Sequence, residues 1–447
     1  MLFLSAQPDS TYFIWQLEIQ LRNFRSFKII KEQIHIIIGY DTVVGLKEDF
    51  KKFIEDNINF AQFYIYPDTR VNSLYASSIR PHLLEKHWMK FPNLRNEIIF
   101  YYDSDILLTR KWNIEKELAD HINYISNTRS YLDSEYILSH SNQNILEQMC
   151  GVVGIDSGKV IENDCNSGGA QYILKNIDEI FWRKVYKDSE TIFELLSNYN
   201  SDEAQKEALN KNYKSNRIQA WCADMWGVLW NLWYYEKEVR IHSELDFSWP
   251  TEPIEQWHIK AIQHYSGPHI DKRNFFYKRD YVNHFPWYDD NLYSIPNISC
   301  SYYIVQHIKN RREELDNDRY ILNNIELKFF NNENLVISKY ISKYFKISDF
   351  NKGINLEFDD GLIIPPKIII DLDDAFKNNN YNGILFKKVY KIDQVFGEVF
   401  SSVLDVNILI LNKGKFSLAQ PFTVQIDYKI NVKENNILTI YDDVFLI

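Results

Sequence analysis

The sequence predicts an α/β fold, a mostly parallel sheet flanked by helices over residues 1–300, followed by a separate β-rich domain over residues 301–447. Three observations carry this reading. Strand-length apolar runs alternate with helix-length periodic segments through the first hundred residues. The strand that closes this series ends in Asp103-Ser104-Asp105. Beyond about residue 305 the chain turns to short apolar or alternating runs separated by Asn, Gly and Asp.

Residues 2–6 form the first strand, and Pro8-Asp9-Ser10 is a turn with capping residues that opens a helix to residue 21. A second strand follows at 34–38, a helix at 47–56 and a third strand at 60–66. A helix over 73–90 is broken or begun at Pro81, and the run 97–102 is the strand bearing the two carboxylates. Open sheets of this kind bind ligands at the carboxyl ends of their strands, where Ser5, Ala6, Gln7 and Asp103–Asp105 all fall. Further strands are expected at 152–155 and 171–174. The polar segment 198–217 reads as a mobile loop or an exposed helix. In the run that starts at Trp221, Trp226, Trp230 and Trp233 share one helix face, a core stripe, and Asp224 lies nearly opposite. The C-terminal strand candidates include 362–364, 367–372, 383–390, 406–411, 422–428 and 436–441.

At 447 residues the chain is long enough for two or three domains with packed cores. A net charge of -11 argues against a nucleic-acid backbone or an anionic membrane as the main partner. The four cysteines lack C-x-x-C spacing, so neither a zinc ribbon nor a disulfide scaffold is indicated, and a reducing compartment fits. No basic, apolar leader opens the chain and no window is long enough for a transmembrane span. The expected location is cytoplasmic.

Two carboxylates one residue apart at a strand end can share a divalent cation or divide metal binding and sugar positioning between them. Hard oxygen ligands suit Mn2+ or Mg2+, and such a cation neutralises a diphosphate leaving group, so the motif points to a nucleotide-sugar site. His264-Tyr-Ser-Gly267-Pro, with Lys272 and Arg273 after it, could clamp a diphosphate: His264 as third ligand, Gly267 for close backbone approach, Lys272 for charge. The alternative is a turn histidine beside a solvated basic pair. In Asn166-Ser-Gly168-Gly-Ala170, small residues could pass close to a sugar while Asn166 bonds its hydroxyls, or the glycines could simply make a turn or bulge. Asp224 is either a helix N-terminal carboxylate or an acceptor-facing catalytic group.

The ordered set Asp103-Ser104-Asp105, Asn166-Ser-Gly168-Gly, Asp224 and His264-x-x-Gly267-x4-Lys272 resembles that of metal-dependent glycosyltransferases of the GT-A fold, especially glycogenin-like and galactosyltransferase-like families. Gln7-Pro8-Asp9-x-x-Tyr12-Phe-x-Trp15-Gln16 and Trp221-Cys-Ala-Asp-Met-Trp226 are also similar to plant and algal enzymes that glycosylate peptidyl serine or hydroxyproline. The resemblance covers roughly residues 1–290. It implies that Asp103 contacts the donor and the metal, and that Asp105 and His264 ligate the metal. It further implies that Ser5 to Gln7 meet the nucleoside, with Arg80, Ser104, Asn166, Gly168, Gly267 and Lys272 at the donor. It implies a UDP-sugar donor and a glycan or polypeptide acceptor. The spacing to Lys272 is longer than the glycogenin-like pattern, and the usual Lys-Pro-Trp is missing. A haloacid-dehalogenase phosphatase would want Thr or Val where Leu107 stands, and its nucleophile near the N-terminus. A non-catalytic carbohydrate-binding or scaffold protein with the same shell is the remaining alternative.

Overall fold

The computed structural model describes residues 1–318 apart from 211, 268–270, 272 and 273. It also describes, as backbone strands, 325–329, 383–386, 389–395, 398–404, 408–412, 429–433 and 437–441. The chain divides into two units, Met1–Tyr277 with Ile295–Ile304 and Lys278–Ser294 with Val305–Ile447.

The N-terminal apolar run becomes β1 (Leu2–Pro8), buried from Phe3 to Gln7, with strands pairing both its edges and helices covering the sheet. β2 (Ile34–Asp41) and β4 (Ile99–Tyr101) pair parallel with β1, and β3 (Gln62–Asp68) pairs parallel with β2. Beyond β4 the sheet continues through β7 (Gly168–Leu174), β6 (Asn123–Asn127) and β8 (Val239–Ile241), in the order β3-β2-β1-β4-β7-β6-β8. Only the β4–β7 and β6–β7 pairings are antiparallel, so the sheet is mostly parallel, as the alternation of runs predicts.

Helices cover the sheet: α1 (Thr11–Ser26), α2 (Glu48–Asn57) and α3 (Ile79–Lys90) are the crossovers among the first four strands. Pro81 sits in the first turn of α3, where its missing N–H breaks no helical bond. α1 is buried over most of its circumference: Ile14, Leu17, Leu21 and Phe24 are core, and each contributes about 1.5–3 kcal/mol by leaving water. Its buried Gln16, Gln20 and Asn23 face the loop after β4.

After β5 (Ile106–Leu108) and β6 come α4 (Arg129–Leu132), α5 (Ser134–His140), α6 (Gln143–Val153) and α7 (Ser157–Glu162). The expected strand at 152–155 is instead the end of α6. Asn142 caps that helix through Ile145 N at 3.1 Å, and Gly154 closes it at φ +82°. The polar stretch from 198 onward is helical to Leu209, as the last part of α8 (Glu179–Leu209), which Asp178 caps through Phe181 N at 2.9 Å. α9 (Ala223–Tyr234) packs Trp226, Trp230 and Trp233 into the core.

A second, small sheet completes this unit. β5 lies against β10 (Ile262–His264), antiparallel, and β10 against β9 (Phe247–Ser248), parallel, with α10 (Glu255–Ile259) between the last two in sequence. α11 (Ser301–Asp318) follows. Farther on, β11 (Ile325–Phe329), β12 (Gly383–Phe386), β15 (Ile408–Asn412), β16 (Lys429–Lys433) and β17 (Ile437–Tyr441) form a sheet in the order β11-β15-β12-β17-β16, and β13 (Val389–Val395) pairs with β14 (Glu398–Leu404). The strand candidates at 362–364, 367–372 and 422–428 lie outside the described residues.

Candidate active site

Asp103 follows β4 after one residue, Tyr102, and the chain then turns through Ser104 and Asp105 into β5. The turn is braced by α1. Gln20 Nε2 donates toward the carbonyls of Asp103, Ser104 and Ile106 at 3.1, 3.0 and 3.3 Å. Ser104 Oγ donates to Gln16 Oε1 at 2.9 Å, so this buried hydroxyl is used to hold the loop. Asn23 exchanges two hydrogen bonds with the backbone of Leu108, at 2.8 and 2.9 Å.

Register brings in the third member. β10 pairs with β5 so that His264 stands opposite Ile106, and Tyr265 N donates to the Asp105 carbonyl at 3.0 Å. His264 Nε2 thereby lies 3.3 Å from Asp105 Oδ1 and 3.8 Å from Asp103 Oδ2. One ligand atom from each of Asp103, Asp105 and His264 lies within 4.8 Å of the others, the separation a single cation spans. Trp249 stacks on the imidazole at 5.7 Å and Phe247 meets it edge-on at 5.0 Å, leaving its Nε2 edge to the carboxylates.

The donor set fits a divalent cation, and a buried orphan atom agrees. Gln171, on β7, places its amide Nε2 3.4 Å from His264 Nδ1, while its Oε1 is buried with no partner. Turning the amide end for end puts Oε1 against Nδ1–H. The imidazole is then the tautomer whose Nε2 lone pair faces the carboxylates, the arrangement that metal-binding histidines adopt. Two carboxylates and one imidazole form a ligand set that a divalent cation can accept.

Arg80, near the start of α3, links this cluster to α9. Its guanidinium pairs with Asp103 Oδ1 through one terminal nitrogen and with Asp224 Oδ2 through the other. Burial opposes its charge, but the carboxylates of Asp103 and Asp224 outweigh that and raise its pKa well above the ordinary value. For Asp103 the balance is different: burial raises its pKa, against the pull of Arg80, and the charge of Asp105 adds to the rise. Asp224 Oδ1 is met by the Tyr75 hydroxyl, which also lies against the Trp221 carbonyl and accepts from Asp224 N at 3.4 Å. Both oxygens of Asp224 are therefore engaged. Burial, and next the Asp224 charge, push the Tyr75 phenol far up, so it remains a donor. The loop that delivers Tyr75 is itself pinned by Glu190, which accepts from Leu74 N at 3.1 Å and Tyr75 N at 3.3 Å.

The other expected site residues are placed as follows. Ser5, Ala6 and Gln7 are buried on β1, with Gln7 Nε2 donating to the Ile37 carbonyl at 2.8 Å. Asn166 precedes β7 and accepts from Ile241 N at 3.4 Å. Gly168 pairs across β6 so closely that a Cβ on it would stand 2.1 Å from the Ser126 carbonyl oxygen. Gly267 takes φ +122°, beside Trp249. Lys272 lies outside the described residues. Sequence reasoning missed Tyr75, Gln171 and Gln20. No local motif marks them, since each acts through a partner distant in the chain.

The fold and site thus define an α/β protein with a D-x-D carboxylate pair, a histidine brought beside it, and a clamped acidic helix start. No protein-family model matches the chain, and no curated protein matches it either. Solved structures similar to it include glycosyltransferases. The galactosyltransferase LgtC, in complex with donor and acceptor sugar analogs, is 12% identical over 70% of this chain and 96% of its own, with a TM-score of 0.33. The bifunctional glycosyltransferase WbbM is 12% identical over 69% of this chain and 51% of its own, at 0.30. Mouse xyloside xylosyltransferase 1 is 10% identical over 56% of this chain and 87% of its own, at 0.28.

Proposed function

We propose that the protein is a metal-dependent glycosyltransferase that moves a hexose or pentose from a nucleotide-sugar, a UDP-sugar by the sequence resemblance, to a hydroxyl on a glycan or polypeptide. Residues 1–300 would carry the chemistry, with 301–447 as an accessory domain. The observation that supports this most is the convergence of Asp103, Asp105 and His264 within 4.8 Å at the carboxyl end of a central parallel strand. A cation held there would supply charge neutralisation to a diphosphate leaving group. Asp105 and His264 are its proposed ligands, with Asp103 shared between that cation and Arg80.

The chain's own groups would do the rest. Arg80 orients Asp103 toward the sugar and adds a positive field where negative charge develops on the leaving group. Ser5, Ala6 and Gln7 would form the floor under the nucleoside, Asn166, Gly168 and Gly267 would line the donor, and Lys272 would steady its phosphates. Asp224 is proposed at the acceptor end. With Tyr75 and Arg80 on its two oxygens it can fix the geometry there, and each oxygen keeps a second lone pair with which it could take a proton from the acceptor.

The test is calorimetric titration of nucleoside diphosphates with and without Mn2+, on the wild-type chain and on Asp105→Ala. Metal-dependent binding of one nucleotide, lost in the variant, is expected. Absence of any nucleotide binding would transfer the reading to a carbohydrate-binding or scaffold protein.

A further inference from the structure

Four tryptophans stand between residues 221 and 233, and three of them, Trp226, Trp230 and Trp233, are core. Trp221 is not: its side chain is in the open, with 55% of the residue exposed, the one tryptophan in that state among the described residues. Its position is nonetheless fixed from behind. The Tyr75 hydroxyl that meets Asp224 also meets the Trp221 carbonyl, so the platform and the acidic group share one anchor. Tyr131, on α4, holds its ring 6.5 Å from the indole at an interplanar angle of 31°. The loop that supplies Tyr75 exposes Leu74 by 62% and Val71 by 79%. Exposed Gln219 and Asn127 and half-exposed Arg129 provide polar groups on the segments that carry Trp221 and Tyr131.

We propose that Trp221, with Tyr131 beside it, is the acceptor platform of this chain, and that the acceptor is an uncharged carbohydrate whose C–H face stacks on the indole. This rests on the glycosyltransferase reading above. A pyranose offers one flat apolar face ringed by hydroxyls, which matches one open aromatic surface with polar neighbours. A proline- or hydroxyproline-rich peptide would match less well. Its extended helix repeats every three residues, about 9 Å, and docks on a row of aromatic ridges, whereas here one ring is open with one partner.

The test uses methyl β-galactopyranoside, methyl α-glucopyranoside, lactose, cellobiose and a hydroxyproline-containing peptide as probes of the full-length chain. Wild type, Trp221→Ala and Trp221→Phe are compared by tryptophan fluorescence titration, by nucleotide release from a UDP-sugar with Mn2+ at each probe concentration, and by Mn2+-dependent UDP binding. The expected result is saturable binding of at least one saccharide to wild type. Trp221→Ala should raise its Kd and its KM by about tenfold or more, and Trp221→Phe by about threefold or less. UDP binding and probe-free donor hydrolysis should stay within about twofold. Saccharide Kd values unchanged in Trp221→Ala, no saccharide binding to wild type, or saturation by the peptide alone would each overturn the platform. Loss of the glycosyltransferase reading is seen separately, as wild type that binds no nucleoside diphosphate with Mn2+. Saccharide fluorescence then still decides whether Trp221 receives a sugar.

Discussion

His264 and the pair His35 and His87 are comparably buried, at 6%, 7% and 0% exposure, yet they sit in opposite electrostatic company. His264 faces two carboxylates within 3.8 Å. His35 Nδ1 instead meets His87 Nε2 at 3.1 Å, His87 Nδ1 meets the Tyr66 hydroxyl at 2.8 Å, and the rings of Tyr64 and Phe91 pack around them. Burial alone lowers the His35 pKa to about 4; His87 falls to about 3 through burial, with His35 and Lys90 adding to it. Depth in the fold therefore does not make a histidine a ligand. Two acids, brought by a strand register, create a place for a cation, and without them the same side chain is a neutral spacer between β2, β3 and α3.

The contrast breaks most sharply at Asp105. Asp105→Ala should lower transfer turnover by about a thousandfold while leaving the thermal midpoint within a few degrees, because it removes a like-charged neighbour of Asp103. A midpoint that collapsed with activity would make the cluster structural. Arg80→Ala should cost about 3 kcal/mol of stability in urea unfolding, since two carboxylates lose their shared partner. Arg80→Lys should recover little of this, because one ammonium nitrogen replaces the two separate terminal nitrogens that meet Asp103 and Asp224.

The neutral cluster makes its own prediction, with a definite sign. The folded pKa values of His35 and His87 lie below the unfolded value of 6.5, so the unfolded chain binds more protons in acid. Their contribution is fully present above pH 6.5 and declines as pH falls toward 4. On the order of 2 kcal/mol for each should be lost by pH 4. His82, also lowered to about 4 by burial, adds to the loss, and all three contact α3 or belong to it. Urea midpoints that stayed flat between pH 7 and pH 4.5 would show that the pair is already charged in the fold.

Gln171 sharpens the comparison on the other side. Gln171→Leu should weaken Mn2+ affinity by about tenfold, and Gln171→Glu should restore it, because a carboxylate also accepts from Nδ1–H. Titration followed by the Mn2+ paramagnetic resonance signal reads this without turnover, and equal affinities in the two variants would remove Gln171 from the site. The smallest effect belongs to Ser104→Ala, about 1 kcal/mol of stability from the lost bond to Gln16, with Mn2+ affinity unchanged.

Much of the parallel half of the sheet was legible because β1, β2 and β4 are buried on both faces and so read as apolar runs, whereas β3, at the sheet edge, is half-exposed. The Asp103-Ser104-Asp105 pair was legible because its spacing and strand-end position are local. The segment 152–155 misled because Val-Val-Gly-Ile has strand character, while the signals that count, Asn142 as cap and Gly154 at φ +82°, lie at the two ends of α6. The start of α3 was read early because Ser73 and Arg70 are tied up in a loop, with Arg70 donating to the Tyr75 carbonyl at 3.1 Å. Tyr75, Gln20 and Gln171 carry no local pattern at all. Their roles arise from hydrogen bonds to residues far along the chain, which periodicity cannot register.

The pairing of β5 with β10 joins a segment made early in synthesis to one made late. Until residues 262–264 are docked, Asp103 and Asp105 can be present on a formed parallel sheet with no imidazole beside them. Closing that large loop is an entropic cost paid only when most of this unit has assembled. On the proposed function, capture of a divalent cation should therefore lag behind helix formation in refolding, so that its uptake serves as a clock for this long-range contact of the unit.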